Sequence, residues 1–154
     1  MNFNCNNNCC HFKTKEYINN LTHIYTSNKN KAGAFLYDKN KILLIQSRGN
    51  LWGPPKGTIN PNETTQQCAV REVLEETGLD ITSQCFDNFF KIKNTTYFYI
   101  KIKHSEVFIQ NNTQDNDATG IAWVNISCLN SLILDKKIKI TYHLKLILKS
   151  FNNI

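Results

Sequence analysis

Between Thr64 and Gly78 the sequence TTQQCAVREVLEETG supplies a start, a body and a stop for one helix. Thr64 with Gln67 three residues on has the spacing of a reciprocal capping box, and Gly78 tolerates the left-handed conformation in which helices end. Ala69, Val70, Val73 and Leu74 fall on one stripe, which predicts that this side packs on a core. A helix bounded so closely constrains its surroundings, because the flanking segments read as strands and not as more helix.

Upstream, AGAFLYD, the turn DKNK and ILLIQ predict a hairpin, and the loop SRGNLWGPPKG follows with its glycines and prolines as punctuation. Downstream, the alternation in KIKNTTYFYIKIK predicts one long strand, GIAWVNI a second and HSEVFIQ a shorter one, with NNTQDNDATG as a polar loop. Ile140, Leu144, Ile147, Leu148 and Phe151 recur at helical spacing near the end. Strands, helix, strands, helix in this order argue for an α+β or layered α/β/α domain on a mixed sheet. Residues 1–30 are Asn-rich, with a weak apolar pattern at Tyr17, Ile18, Leu21 and Ile24. They read as an arm or small cap before a single domain over residues 31–154.

The apolar runs are far shorter than the roughly 20 residues needed to cross a bilayer, and no signal sequence follows Met1. A soluble, intracellular, cytoplasmic protein with no membrane partner is therefore expected. The six cysteines are too unevenly placed for a secreted disulfide framework, so free thiols are expected. The segment CNNNCCH, Cys5 to His11, has metal-capable side chains but lacks a second ligand pair at zinc-site spacing. The net charge of +6 would attract anionic partners, although scattered lysines also make an ordinary solvated surface.

Against that positive balance, Glu72, Glu75 and Glu76 share one face of the predicted helix, opposite the apolar stripe. A solvated acidic face with Arg71 paired to Glu75 would account for them. So would a seat for magnesium or manganese, hard ions held by a few carboxylates together with phosphates and water. The glycine-containing turn before the helix would bring backbone groups to the same place.

From Gly57 the chain reads GTINPNETTQQCAVREVLEETGL. Gly57, five residues, Glu63, seven residues, Arg71-Glu72, aliphatic Val73, one residue, Glu75-Glu76, one residue, Gly78 and aliphatic Leu79 fill every fixed position of the 23-residue Nudix signature. The chain resembles the Nudix hydrolase family over roughly residues 31–152. That resemblance implies an α/β/α sandwich around a mixed sheet and hydrolysis of a nucleoside diphosphate linked to another moiety, with Mg2+ or Mn2+. It implies Glu72, Glu75, Glu76 and the Gly57 carbonyl as metal ligands and Glu72 as the base. Arg71 would orient a glutamate, Glu63 would support it from behind, and Lys56 would meet a phosphate. Capping and a surface salt bridge remain open for Glu63.

The segment WGPPKG is similar to the loop entering the box of both dinucleoside polyphosphate hydrolases and mRNA-decapping Nudix domains. CAVREVLEETGLDI and NDATGIAWVNI look more like the decapping type, which implies capped RNA as substrate and a minimal, viral-type enzyme. Asp117, six positions before Trp123, stands where decapping enzymes carry a catalytic glutamate; Asp115 and Glu106 are weaker candidates. Trp52, Tyr97, Phe98 and Tyr99 are candidates to stack on a base, Trp52 foremost as a substrate contact, although alternate strand members must face the core and packing is the first fate to expect for each. A dinucleoside polyphosphate or nucleotide hydrolase, and a non-catalytic nucleotide or RNA binding module, are the competing readings.

Overall fold

The computed structural model describes residues 1–15, 28–47, 50–111 and 118–151. The chain opens with β1 (Asn2–Asn4) and β2 (His11–Thr14), followed by β3 (Lys31–Asp38), β4 (Lys41–Ser47), β5 (Leu51–Gly53) and β6 (Lys56–Thr58). Helix α1 (Thr65–Thr77) leads to β7 (Phe89–Ile92), β8 (Thr95–Lys101) and β9 (Gly120–Asn125), and then to α2 (Ile126–Leu134), β10 (Lys139–Ile140) and α3 (Tyr142–Phe151).

Strands β3 and β4 are apolar on both faces, so they can be buried only between two layers. Phe35, Ile42 and Leu44 point to one core with Trp52, Leu129, Leu144 and Ile147, under α2 and α3. Ala34, Leu36, Leu43 and Ile45 point to the other, with Ala69 and Val73 of α1. The mixed sheet runs β1-β2-β9-β4-β3-β8-β7. Its β3–β8 pair is parallel, from Lys31 opposite Thr95 to Tyr37 opposite Lys101, and its β4–β9 pair antiparallel. This is the layered α/β/α arrangement that the sequence pattern predicts.

The expected hairpin forms, with Tyr37 opposite Ile42. Three expectations are corrected and one helix, α2, is new. KIKNTTYFYIKIK is a hairpin of β7 and β8 that turns at Lys93, which takes φ 53. HSEVFIQ carries no strand, and a helix, α2, follows GIAWVN. Regular structure also starts well before residue 31: β2 pairs with β9 through Lys13 opposite Ile121, and β1 pairs with β2. These N-terminal strands are too short for a periodic signal to show before they find their partners. The pattern at Tyr17, Ile18, Leu21 and Ile24 lies outside the described residues. No helix among the described residues is long and apolar enough to cross a membrane.

Candidate active site

The capping box predicted for α1 is formed in full, since the Thr64 hydroxyl accepts from the Gln67 amide at 3.1 Å and the Gln67 side chain accepts from the Thr64 amide at 2.9 Å. At the other end Gly78 takes φ 77, and its N–H donates to Leu74 O at 2.9 Å. The helix is thus fixed at both ends before any tertiary contact is counted.

Its faces differ from the predicted stripe. Leu74 is 48% exposed, whereas Glu76 is only 5% exposed. A buried carboxylate needs a hydrogen-bond donor, and β6 provides one: the Lys56 backbone N–H donates to Glu76 Oε2 at 3.0 Å. Strand β6 is itself held against β3, with Gly57 opposite Ala32 and Lys56 opposite Gly33. The acidic side of α1 therefore faces the strand PPKG leads into, and is not a solvated surface.

One cavity of about 510 Å³ is lined by Glu72, Glu75 and Glu76, by Lys56, Gly57 and Thr58, by Arg71, and by Lys31 from β3. Arg71 organises its charges. Its Nε donates to Glu63 Oε2 at 3.0 Å and its Nη2 to Glu63 Oε1 at 3.0 Å, while Nη1 reaches Glu72 Oε1 at 2.7 Å and Glu75 Oε2 at 3.2 Å. Nη2 also donates to Thr58 O at 3.0 Å. One guanidinium so orients two cavity carboxylates and braces itself on a third outside them. Burial by itself would raise the Glu63 carboxyl, but the paired guanidinium more than offsets that and holds it below its ordinary range. Burial is opposed in the same way at Arg71, where Glu63 and Glu72 push the guanidinium higher still.

Gly57 meets Glu72 so closely that a Cβ there would collide with the carboxylate. Only glycine leaves that space. The donors gathered here, carboxylate oxygens and the Gly57 carbonyl, are all hard oxygens, so the set fits Mg2+ or Mn2+ better than a thiol-seeking ion.

Cys68, which sequence reasoning missed, lies beneath this floor. Burial, with Glu63 beside it, pushes its thiol up to about 12, so it stays protonated and donates toward Gly57 O at 3.6 Å. Lys31 and His143 were also missed, because they reach the neighbourhood only through β3 and α3. An adjoining cavity is lined by Lys31, Lys56, Lys93, Tyr142 and His143. Burial and the charges of Lys56, Lys31 and Lys93 lower the His143 pKa, which keeps the imidazole neutral, and its Nδ1 lies 2.8 Å from the Tyr97 hydroxyl.

Trp52 does not join the cavity. It is 1% exposed and packs edge-on against Phe12 with ring centroids 5.0 Å apart, so the expectation that it stacks on substrate is corrected in favour of a core role. Tyr97 and Phe98 are buried as well. Glu106 is remote from the carboxylates, beside Lys13 at 3.5 Å in a separate cavity. Asp115 and Asp117 lie outside the described residues.

Comparison with known proteins agrees with this fold. Residues 27–144 match the NUDIX domain family. The candidate hydrolase 111R of Invertebrate iridescent virus 3 is 34% identical over 143 residues, which is 87% of this chain and 85% of the viral one. The m7GpppN-mRNA hydrolase of Saccharomyces cerevisiae is 32% identical over 114 residues, 70% of this chain but only 12% of the yeast protein. Among solved structures, a Caenorhabditis elegans Ap4A hydrolase superimposes with a TM-score of 0.58 at 20% identity, covering 80% of this chain and 96% of that one, a likeness of fold.

Proposed function

The chain belongs to the Nudix family of hydrolases, and from that premise we propose that it uses Mg2+ or Mn2+ to cleave a phosphoanhydride bond in the 5′ cap of mRNA. The observation that carries the reading is the convergence of Glu72, Glu75, Glu76 and Gly57 on one cavity whose other wall carries Lys31 and Lys56. Such a site is negative where an ion would sit and positive where a polyphosphate would lie.

Glu72, Glu75 and Glu76 would hold the ion with the Gly57 carbonyl. Bound there, it would offset the charge of the diphosphate and make a bound water more acidic. Arg71 keeps Glu72 and Glu75 at fixed angles, and Glu63 keeps Arg71 from turning. Glu72 accepts the proton of the attacking water at a carboxylate oxygen. Lys56 and Lys31 bind the phosphates, and the lysines of the adjoining cavity guide the RNA body. Asp117 keeps its place as a second acidic group on the strength of its spacing to Trp123.

The preference for a cap rests on the decapping relatives. A 62-residue segment is 51% identical to the mRNA decapping complex subunit 2 of Schizosaccharomyces pombe, covering 38% of this chain and 8% of that one. The test is to offer cap-labelled RNA, a dinucleoside polyphosphate and common nucleotides in heavy-oxygen water and to identify the products by mass. Release of methylated GDP from RNA supports decapping. Turnover of short dinucleotides alone would replace the cap with a dinucleoside polyphosphate, and ligand binding without turnover by any substrate would leave a binding module.

A further inference from the structure

Four of the six cysteines meet at one point far from the carboxylates. Cys5, Cys9 and Cys10 lie in the turn between β1 and β2, and Cys128 lies in the first turn of α2. Cys9 Sγ is 3.6 Å from Cys5 Sγ, 3.7 Å from Cys10 Sγ and 3.4 Å from Cys128 Sγ, and all four sulfurs lie within 4.8 Å of one another. Four thiolates at about 2.3 Å around a tetrahedral zinc stand about 3.8 Å apart, so the group needs only small adjustments to close on an ion.

We propose that Cys5, Cys9, Cys10 and Cys128 form a structural zinc site that fastens the N-terminal strands to helix α2. The sequence alone argued against zinc here because CNNNCCH lacks a second ligand pair. The structure gives a different solution: three ligands come from the turn, and the fourth arrives from 118 positions further along the chain than Cys10. His11 is not among them, since its Nδ1 lies 2.9 Å from Asn4 Oδ1.

The surroundings suit an anionic centre. The Asn125 backbone N–H, at the cap of α2, donates to Cys10 Sγ at 3.1 Å, and Asn7 Nδ2 reaches Cys128 Sγ at 3.9 Å. Cys128 occupies the third position of α2, near the positive end of the helix. Lys137 braces the turn through Asn6 Oδ1 at 2.7 Å, and Lys41 lines the cavity that Cys9 borders. These groups offset the double negative charge of a zinc held by four thiolates. Cys5, Cys10 and Cys128 are buried, and four protein sulfurs would fill a tetrahedral shell with no place left for substrate, which marks a structural and not a catalytic ion.

Such a site would explain how strands of three and four residues hold the end of the sheet. Closing the loop from Cys10 to Cys128 through a metal also removes freedom from the unfolded chain.

The test uses the full chain, purified under reducing conditions without chelator. Elemental analysis is expected to find about one zinc per chain, and X-ray absorption at the zinc edge to show sulfur neighbours at about 2.3 Å. Cys9→Ser and Cys128→Ser should bring zinc to background, whereas Cys85→Ser, at an exposed thiol outside the cluster, and Glu75→Gln, in the carboxylate cavity, should leave it unchanged. If the serine variants fail to fold, stripped wild-type protein refilled with cobalt under reducing conditions should give the charge-transfer and strong d–d bands of tetrahedral thiolate coordination. Zinc bound only through oxygen or nitrogen, zinc lost with Glu75→Gln but kept in Cys128→Ser, or no zinc before or after reconstitution would overturn the proposal. A disulfide within the cluster in freshly isolated protein would overturn it too.

Discussion

The guanidinium of Arg71 meets the carboxylate of Glu63 side-on, with Nε to Oε2 and Nη2 to Oε1 both at 3.0 Å. Two parallel bonds fix the plane of Arg71, so the third nitrogen can point only between Glu72 and Glu75. Replacing Glu63 by Gln keeps the shape and removes the charge. We expect a loss of about 1.5 to 3 kcal/mol in denaturant unfolding near neutral pH. The Glu63 carboxyl is depressed in the folded chain from its ordinary 4.5, so its stabilisation is complete above that pH and fades as pH falls through the lower folded value. The gap between wild type and Glu63→Gln should therefore be constant above about pH 5 and narrow below pH 4.5; a gap that stays constant down to acid unfolding counts against the pairing.

Glu72→Gln and Glu75→Gln should lower kcat by about 100- to 10,000-fold while nucleotide binding persists. Each change loses a charged bond to Arg71 but also relieves repulsion among the neighbouring carboxylates, so thermal unfolding should move less than in Glu63→Gln. Chelation should abolish turnover, and manganese or magnesium should restore it. Full activity in either variant would remove these carboxylates from the site.

Gly57→Ala separates folding from chemistry. The added methyl would meet the end of the Glu72 side chain, which can swing away cheaply, but not without leaving its place beside Arg71. A displacement of about 1 Å can cost on the order of 100-fold in rate. We expect a loss of that order in kcat, with a melting temperature close to wild type.

Lys31→Ala and Lys93→Ala test the basic side. If an RNA body runs along this wall, each should weaken binding of capped RNA to the Glu75→Gln background and reduce the slope of log affinity against log salt by about 0.7. An unchanged slope would take the RNA away from these lysines.

How far the sequence alone reveals this molecule depends on the reach of each interaction. Helix α1 is legible because its caps are made by residues three and four apart. The carboxylates and Arg71 are legible because their spacing along one helix already sets their neighbourhood. The inward turn of Glu76 is not, since its donor is a backbone amide 20 positions away in β6. Helix α2 is hidden because ISCLNSLIL reads as a continuation of the apolar strand before it, and only the Asn125 side chain accepting from the Ser127 amide at 3.1 Å marks its start. Trp52 is misread for a related cause: its chain neighbour Gly53 lines the cavity, but one strand residue faces opposite to the next.

The sheet parts two bodies of side chains, one beneath α1 and one beneath α2 and α3. Substitutions on opposite sides share few neighbours, and their effects on stability should simply add. The far side can then drift in sequence, lengthen a turn or acquire a metal clasp while the hydrolytic side stays as it is. Related chains should accordingly diverge fastest where α2 and the first two strands meet, and preserve the α1 face long after that.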